Sequence, residues 1–239
     1  MSEPSARARR LLTGFLLVLV AVFLALGTWQ VQRLFWKLDL IARVESRVHA
    51  DAVPAPARAE WPAVSREKDE YRRVTATGLF QHDKTVLVQA VTERGAGFWV
   101  LTPLLLPDET AVLVNRGFVP ADRRDPAARV ASELAAGPVT VTGLLRLSEP
   151  GGAFLRANDP AADRWFSRDV AAITAAKGLS GAAPYFIDAD ATPNPGGLPV
   201  GGLTVVAFRN SHLVYALTWY ALAAMSAAGA WAVHRRRLG

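Results

Sequence analysis

Two uncharged apolar runs, one toward each end of the chain, constrain this sequence more than any other feature. Leu11 to Trp29 holds 19 residues with Thr13 and Thr28 as its hydroxyls, about 28 Å as a helix and close to the thickness of one bilayer core. Leu213 to Val233 holds 21 residues and is also uncharged. Both read as transmembrane helices. Arg7, Arg9 and Arg10 precede the first, and Arg235, Arg236 and Arg237 follow the second. The positive-inside rule therefore puts both chain ends in the cytoplasm and the 183 residues between the runs on the opposite side. A cleaved signal peptide is the alternative for the first run, since Ala25-Leu26-Gly27 makes a tolerable cleavage site. Its length and the following Trp29, at aromatic-belt depth, argue for a retained span.

Charge placement removes one class of function. Of the formal net charge of +6, the N-terminal tail with Glu3 supplies +2 and the last three arginines +3, so residues 11 to 234 are nearly neutral. A nucleic-acid surface needs clustered positive charge with aromatics interleaved. The pairs Arg72-Arg73 and Arg123-Arg124 instead sit among Asp69, Glu70, Asp122 and Asp125, as solvated faces do. With no Cys, thiol chemistry, disulfides and thiolate metal sites are excluded, and two Met cannot build a soft-sulfur copper carrier. Nucleophile-elbow, P-loop, dinucleotide and zinc-protease motifs are missing, so the chain is expected not to be an enzyme.

Between the spans the periodicity changes twice. From Gln30 to Ala50, Leu34, Leu38, Ile41 and Val48 mark one face of an amphipathic helix that continues the first span as a stalk. Residues 51 to 69, with Pro54, Pro56 and Pro62, read as an extended connector. Strands are predicted at 71–80, 84–91, 98–106, 110–116, 139–147, 184–188 and 202–209, and in Val139-Thr140-Val141-Thr142 the alternation is strict. Turn signals fall at His82-Asp83, Pro107-Asp108 and Glu149-Pro150-Gly151-Gly152, and helical pieces near Arg123–Glu133 and Arg168–Ala176. The expected fold class is two transmembrane helices flanking an extracytoplasmic α+β domain, mainly antiparallel β in a barrel or sandwich, with accessory helices. Its layout is a cytoplasmic tail at 1–10, a span at 11–29, the stalk at 30–50 and a β-rich domain at 51–210. A second span at 211–233 and a basic tail at 234–239 complete it.

Four histidines make the search for a site short. His49 and His82 read as surface residues of the stalk and of a turn, and His234 abuts the terminal arginines. His212 stands at the outer mouth of the second span, with Tyr215, Ala216 and Trp219 on its helical face. An ionisable side chain at membrane depth is a functional candidate, and imidazole is a common haem ligand for which Tyr215, Trp219 and Trp29 would make an apolar bed. The alternative is that His212 helps cap the helix behind Asn210 or Ser211. Arg116, in Val114-Asn115-Arg116-Gly117-Phe118-Val119-Pro120, could clamp a carboxylate, or could sit paired in a tight turn.

A set of short motifs runs along the chain in order: Gly27-Thr28-Trp29-Gln30-Val31-Gln32-Arg33, Trp36-Lys37-Leu38 with Leu40-Ile41, Glu70-Tyr71-Arg72 with Gly78, and Val114 to Pro120. It continues through Gly143 to Arg146, Asn158-Asp159-Pro160, Phe186-Ile187-Asp188-Ala189 and Arg209 to Tyr220. In these motifs the chain resembles the Surfeit locus protein one family of cytochrome c oxidase assembly factors. The resemblance implies a retained first span, a multi-pass protein of the plasma (inner) membrane, and a role in building the haem–copper oxidase. It further implies binding of haem a, with His212 as axial metal ligand and Trp29 at the family's first-span tryptophan; Tyr215, Trp219 and Arg116 join them as candidate contacts on the reading of the residues given above. The implied partners are the oxidase catalytic subunit, haem A synthase, membrane lipid and a possible second copy of the chain, with no nucleic acid. A hydrophobic groove lined by Leu26, Trp29, His212, Tyr215, Ala216 and Trp219 is expected. A cofactor-free scaffold that stabilises an oxidase subunit is the other function consistent with the resemblance.

Overall fold

The computed structural model describes residues 6–133, 137–151, 156–206, 208 and 210–235, the side chains of 129 and 132 excepted. Glu3, Gly152, Ala207, Arg209, Arg236 and Arg237 lie outside the described residues. The chain divides into two units, Met1–Arg43 with Ala207–Gly239, and Val44–Val206.

The terminal helices are α1 (Ala6–Val48) and α5 (His212–Arg235), both long and apolar enough to cross a membrane. The first apolar run and the stalk are one uninterrupted helix of 43 residues, because no proline breaks the i to i+4 ladder. On α5 the buried residues are Ala216, Ala223, Ser226 and Ala230, a stripe of small side chains that lets a second helix approach closely. α1 meets α5 antiparallel: Phe23 stacks on Trp219 with centroids 5.6 Å apart, and Tyr220 lies over Gly27.

The β unit contains β1 (Val53–Pro54), β2 (Arg73–Phe80), β3 (Val86–Thr92), β4 (Gly95–Leu105), β5 (Ala111–Pro120), β6 (Val139–Leu147) and β7 (Ala182–Ala189). Among the described residues the sheet order is β1-β2-β6-β7-β5-β4-β3, and β2 also pairs with β4 through Leu79–Leu105 and Phe80–Leu104. Strands β2, β6, β7, β5 and β4 thus close into a five-stranded barrel, with β3 outside β4 and β1 beside β2. The β5–β7 and β1–β2 pairs are parallel and the others antiparallel. Barrel backbones come close together at glycines, Gly78 and Gly143 among them. A Cβ on Gly78 would lie 2.2 Å from the carbonyl oxygen of Leu105, and one on Gly143 2.1 Å from that of Asp188.

Period-two alternation sends successive side chains to different cores. Val74, Leu104, Val112, Val114, Leu145, Tyr185 and Ile187 form one cluster. Their neighbours in sequence on β5 and β7, Leu113 and Phe186, join Val86, Val88, Leu101, Trp165, Val170 and Ile173 in the other. β5 is consequently buried on both faces from Ala111 to Val119. The second core is covered by α4 (Val170–Ala176), whose N-cap Asp169 accepts from the Ala172 amide.

Three expectations need correction. The segment 51–69 is not simply an extended connector. It contributes β1, a 3-10 turn at Arg58–Ala63 and the one-turn α2 (Arg66–Asp69), capped by Ser65. Pro56 is the reason: its carbonyl accepts from Trp61 Nε1 at 3.0 Å and from the buried Tyr185 hydroxyl at 2.8 Å, pinning the segment to the barrel. The helix expected across Arg123–Glu133 is a pair of 3-10 turns, Ala121–Arg123 and Pro126–Arg129, followed by a single turn, α3 (Val130–Glu133). The strand expected at 202–209 is not formed by 202–206. Gly202, at φ +72°, turns the chain out of the extended conformation at the start of that segment, and its amide donates to the Ala189 carbonyl instead.

Candidate functional site

His212 is the first residue of α5. Capping there falls to Asn210, whose side-chain oxygen accepts from the His212 amide at 3.3 Å. The imidazole itself reaches across to α1, where its Nδ1 lies 2.7 Å from Oε1 of Gln30. Among the described residues its Nε2 makes no hydrogen bond. Further along the pair, the Thr28 and Tyr220 hydroxyls are 3.3 Å apart, and Lys37 Nζ sits 4.8 Å from the Phe208 ring centroid.

The aromatic residues read with His212 are disposed differently from one another. Trp219 is half-buried in its stack with Phe23. Trp29 and Tyr215 are 52% and 55% exposed and present their faces to the surroundings of the helix pair. Ala216 and Leu26 are buried and half-buried. Gln30 lies within Gly27 to Arg33, yet no local pattern marks it, because only the pairing of the two helices puts it opposite His212.

Arg116 belongs to the barrel unit. It is buried on β5, with its guanidinium 4.8 Å from the Phe80 ring centroid. Its Nη1 lies 3.3 Å from His82 Nδ1, and Nη2 donates to Asn194 Oδ1 at 3.3 Å. Asn194 in turn donates to the carbonyls of Arg116 and Pro199. These residues wall a cavity of about 400 Å3 whose apolar lining includes Leu79, Val139, Val141 and Pro195. His82, expected at the surface, is therefore a partner of Arg116.

The barrel also holds a charge cluster. Arg146 donates from Nε to Glu70 Oε1 (2.9 Å), from Nη1 to Asp188 Oδ2 (2.9 Å) and from Nη2 to Glu149 Oε1 (2.6 Å). Arg168 binds Glu149 and Asp188 from the other side, and Asn115 Nδ2 donates to Asp188 Oδ1 at 2.7 Å. Burial works against the charge of Arg146, but Asp188, Glu149 and Glu70 more than offset it, and the guanidinium pKa is raised above its ordinary value. Arg146 and Arg168 also lie over the Phe186 ring. The signal in the sequence was a set of polar residues, Asn115, Arg146 and Asp188, inside apolar strands. Their meeting was hidden because they come from β5, β6 and β7.

Two helices long and apolar enough to cross a membrane, flanking in sequence a small closed β-barrel with a buried ionic cluster, define the class of this protein. The SURF1 family model matches residues 17–224. Surfeit locus protein 1 of Mus musculus is 39% identical over 231 residues, which cover 89% of this chain and 72% of the mouse protein. The Homo sapiens protein of the same name is 37% identical, over 93% of this chain and 77% of its own length. A SURF1-like protein of Monosiga brevicollis is 38% identical, over 100% and 93% respectively. The chain belongs to the SURF1 family.

Proposed function

We propose that the protein is a membrane-bound assembly factor for haem–copper cytochrome c oxidase, which binds haem a through His212 and aids its insertion into the catalytic subunit. The observation that carries this reading is the state of His212: one ring nitrogen is held by Gln30, and the other makes no hydrogen bond among the described residues. That donor set fits an axial imidazole, whose second nitrogen is ordinarily fixed by a neighbouring acceptor. The half-exposed Trp29 and Tyr215 offer apolar faces for a flat macrocycle, with Trp219 behind them. A lone imidazole at an open helix pair suits cargo that must be released, as a chaperone requires and a storage site does not. Arg116 remains the candidate carboxylate clamp of the barrel.

The proposal includes a plasma-membrane location with both termini cytoplasmic, the barrel outside, and haem A synthase as donor. It assigns no catalysis to the chain. The test is purification from a host that makes haem A. A Soret band that survives detergent extraction and disappears in His212→Ala is the expected result. Haem-free protein that still restores oxidase activity would replace the carrier with a scaffold that stabilises an oxidase subunit. For topology, a reporter fused after Gly239 should be active only in the cytoplasm.

A further inference from the structure

We propose that Gln30 is the positioning residue of His212: its amide oxygen holds the imidazole with the proton on Nδ1 and so presents the Nε2 lone pair as the ligand atom. The proposal rests on the carrier reading for the identity of the ligand, but the tautomer it assigns belongs to the ligand-free protein. A neutral imidazole has one donor and one acceptor nitrogen, and the partner of one decides the role of the other. Here the partner comes from the opposite helix at 2.7 Å, a short contact for a neutral pair. Asn210, two residues back, already accepts from the His212 backbone amide through its side-chain oxygen. Ala216, one helical turn on, has no polar side-chain atom to offer.

The choice of an amide has a chemical consequence. A carboxylate at position 30 would draw the Nδ1 proton strongly, give the ring imidazolate character and tighten its hold on a metal. A carboxamide orients the ring without adding a charge beside it, a setting suited to transfer. Gln30 thereby makes ligand presentation depend on the pairing of α1 with α5. Neither helix alone contains the arrangement.

The test uses full-length protein in detergent with 15N-labelled histidine, the His212 signals being assigned by their loss in His212→Ala. The haem-free protein should show His212 protonated at Nδ1, and Gln30→Leu should convert it to a mixture of tautomers. Loaded with haem a, Gln30→Leu should bind about 10–100-fold more weakly. Gln30→Glu should restore the Nδ1 proton and the binding, which separates positioning from a general packing defect. A wild-type ring protonated at Nε2, with the Gln30 amide nitrogen donating to Nδ1, would overturn the proposal. So would a tautomer that Gln30→Leu leaves unchanged. If the tautomers behave as expected but wild-type protein takes up no haem a, the carrier reading falls and the assignment of Gln30 stands.

Discussion

Arg146 shows how a single residue can be fixed by groups far apart in the chain. Glu70, Glu149 and Asp188 each accept from a different nitrogen of its guanidinium, so every one of them loses a partner when it is removed. Arg146→Met should cost about 3–5 kcal/mol, because buried Glu70 loses its hydrogen-bonded guanidinium partner and Glu149 and Asp188 are left to share Arg168. Chemical unfolding of the full-length protein in detergent measures it, and a loss below about 1 kcal/mol would mean the carboxylates are adequately solvated without the arginine. Tyr185 supplies a pH dependence. Burial pushes its phenol up to about 12, so the folded state favours the neutral form. Its contribution is complete below the ordinary value near pH 10 and is lost as the pH rises through about 12. Tyr185→Phe should flatten the alkaline stability profile across that window, as thermal scans of both proteins would record. Residue-level function was only partly legible. His212 stood out because so few residues at a membrane boundary can ionise. Gln30 and Arg168 did not, because their importance lies entirely in partners 182 and 20 residues away.

At the scale of elements, the helix pair depends on small residues. A Cβ at Gly27 would come within 2.7 Å of the Tyr220 ring, so Gly27→Val should push the helices apart at about 1–3 kcal/mol. The separation can be followed by cross-linking of single cysteines placed on α1 and α5 in the otherwise cysteine-free chain. Cross-linking equal to that of the parent would show that the ring simply swings aside. The strands were readable where alternation marks two different surroundings. The expected 139–147 coincides with β6, where Val139 and Val141 pack on the core and Thr140 meets Thr77 across the ladder at 2.8 Å. Alternation failed at 202–206 because Gly202, in the left-handed region at the head of the stretch, takes the backbone off the ladder before the β-prone residues begin. The entry segment erred in the opposite direction. Its prolines do prevent regular ladders, yet the carbonyl of Pro56 is free to accept, and two side chains donate to it.

For the whole molecule, closure is the governing fact. The barrel is sealed by the two residue pairs between β2 and β4, with Leu105 backbone packed on Gly78. Gly78→Val should open that seam. Hydrogen exchange of β2 and β4 amides would then rise toward that of the exposed β3–β4 turn, whereas unchanged protection would show that the seam tolerates a side chain. The strand order has a further consequence in time rather than in space. β7 is the last strand in sequence, yet it lies between β6 and β5. Everything made before it can assemble only as an open sheet, β6-β2-β4-β5, with a bare edge on each side of the gap. Both edges wait for the same eight residues, Ala182–Ala189, and the parallel half of that insertion requires a long loop to close first. A nascent chain is thus most vulnerable to wrong strand pairing just before β7 is made. α5 begins only after this final strand, so the second apolar helix is synthesised at the moment when the barrel first becomes able to complete itself.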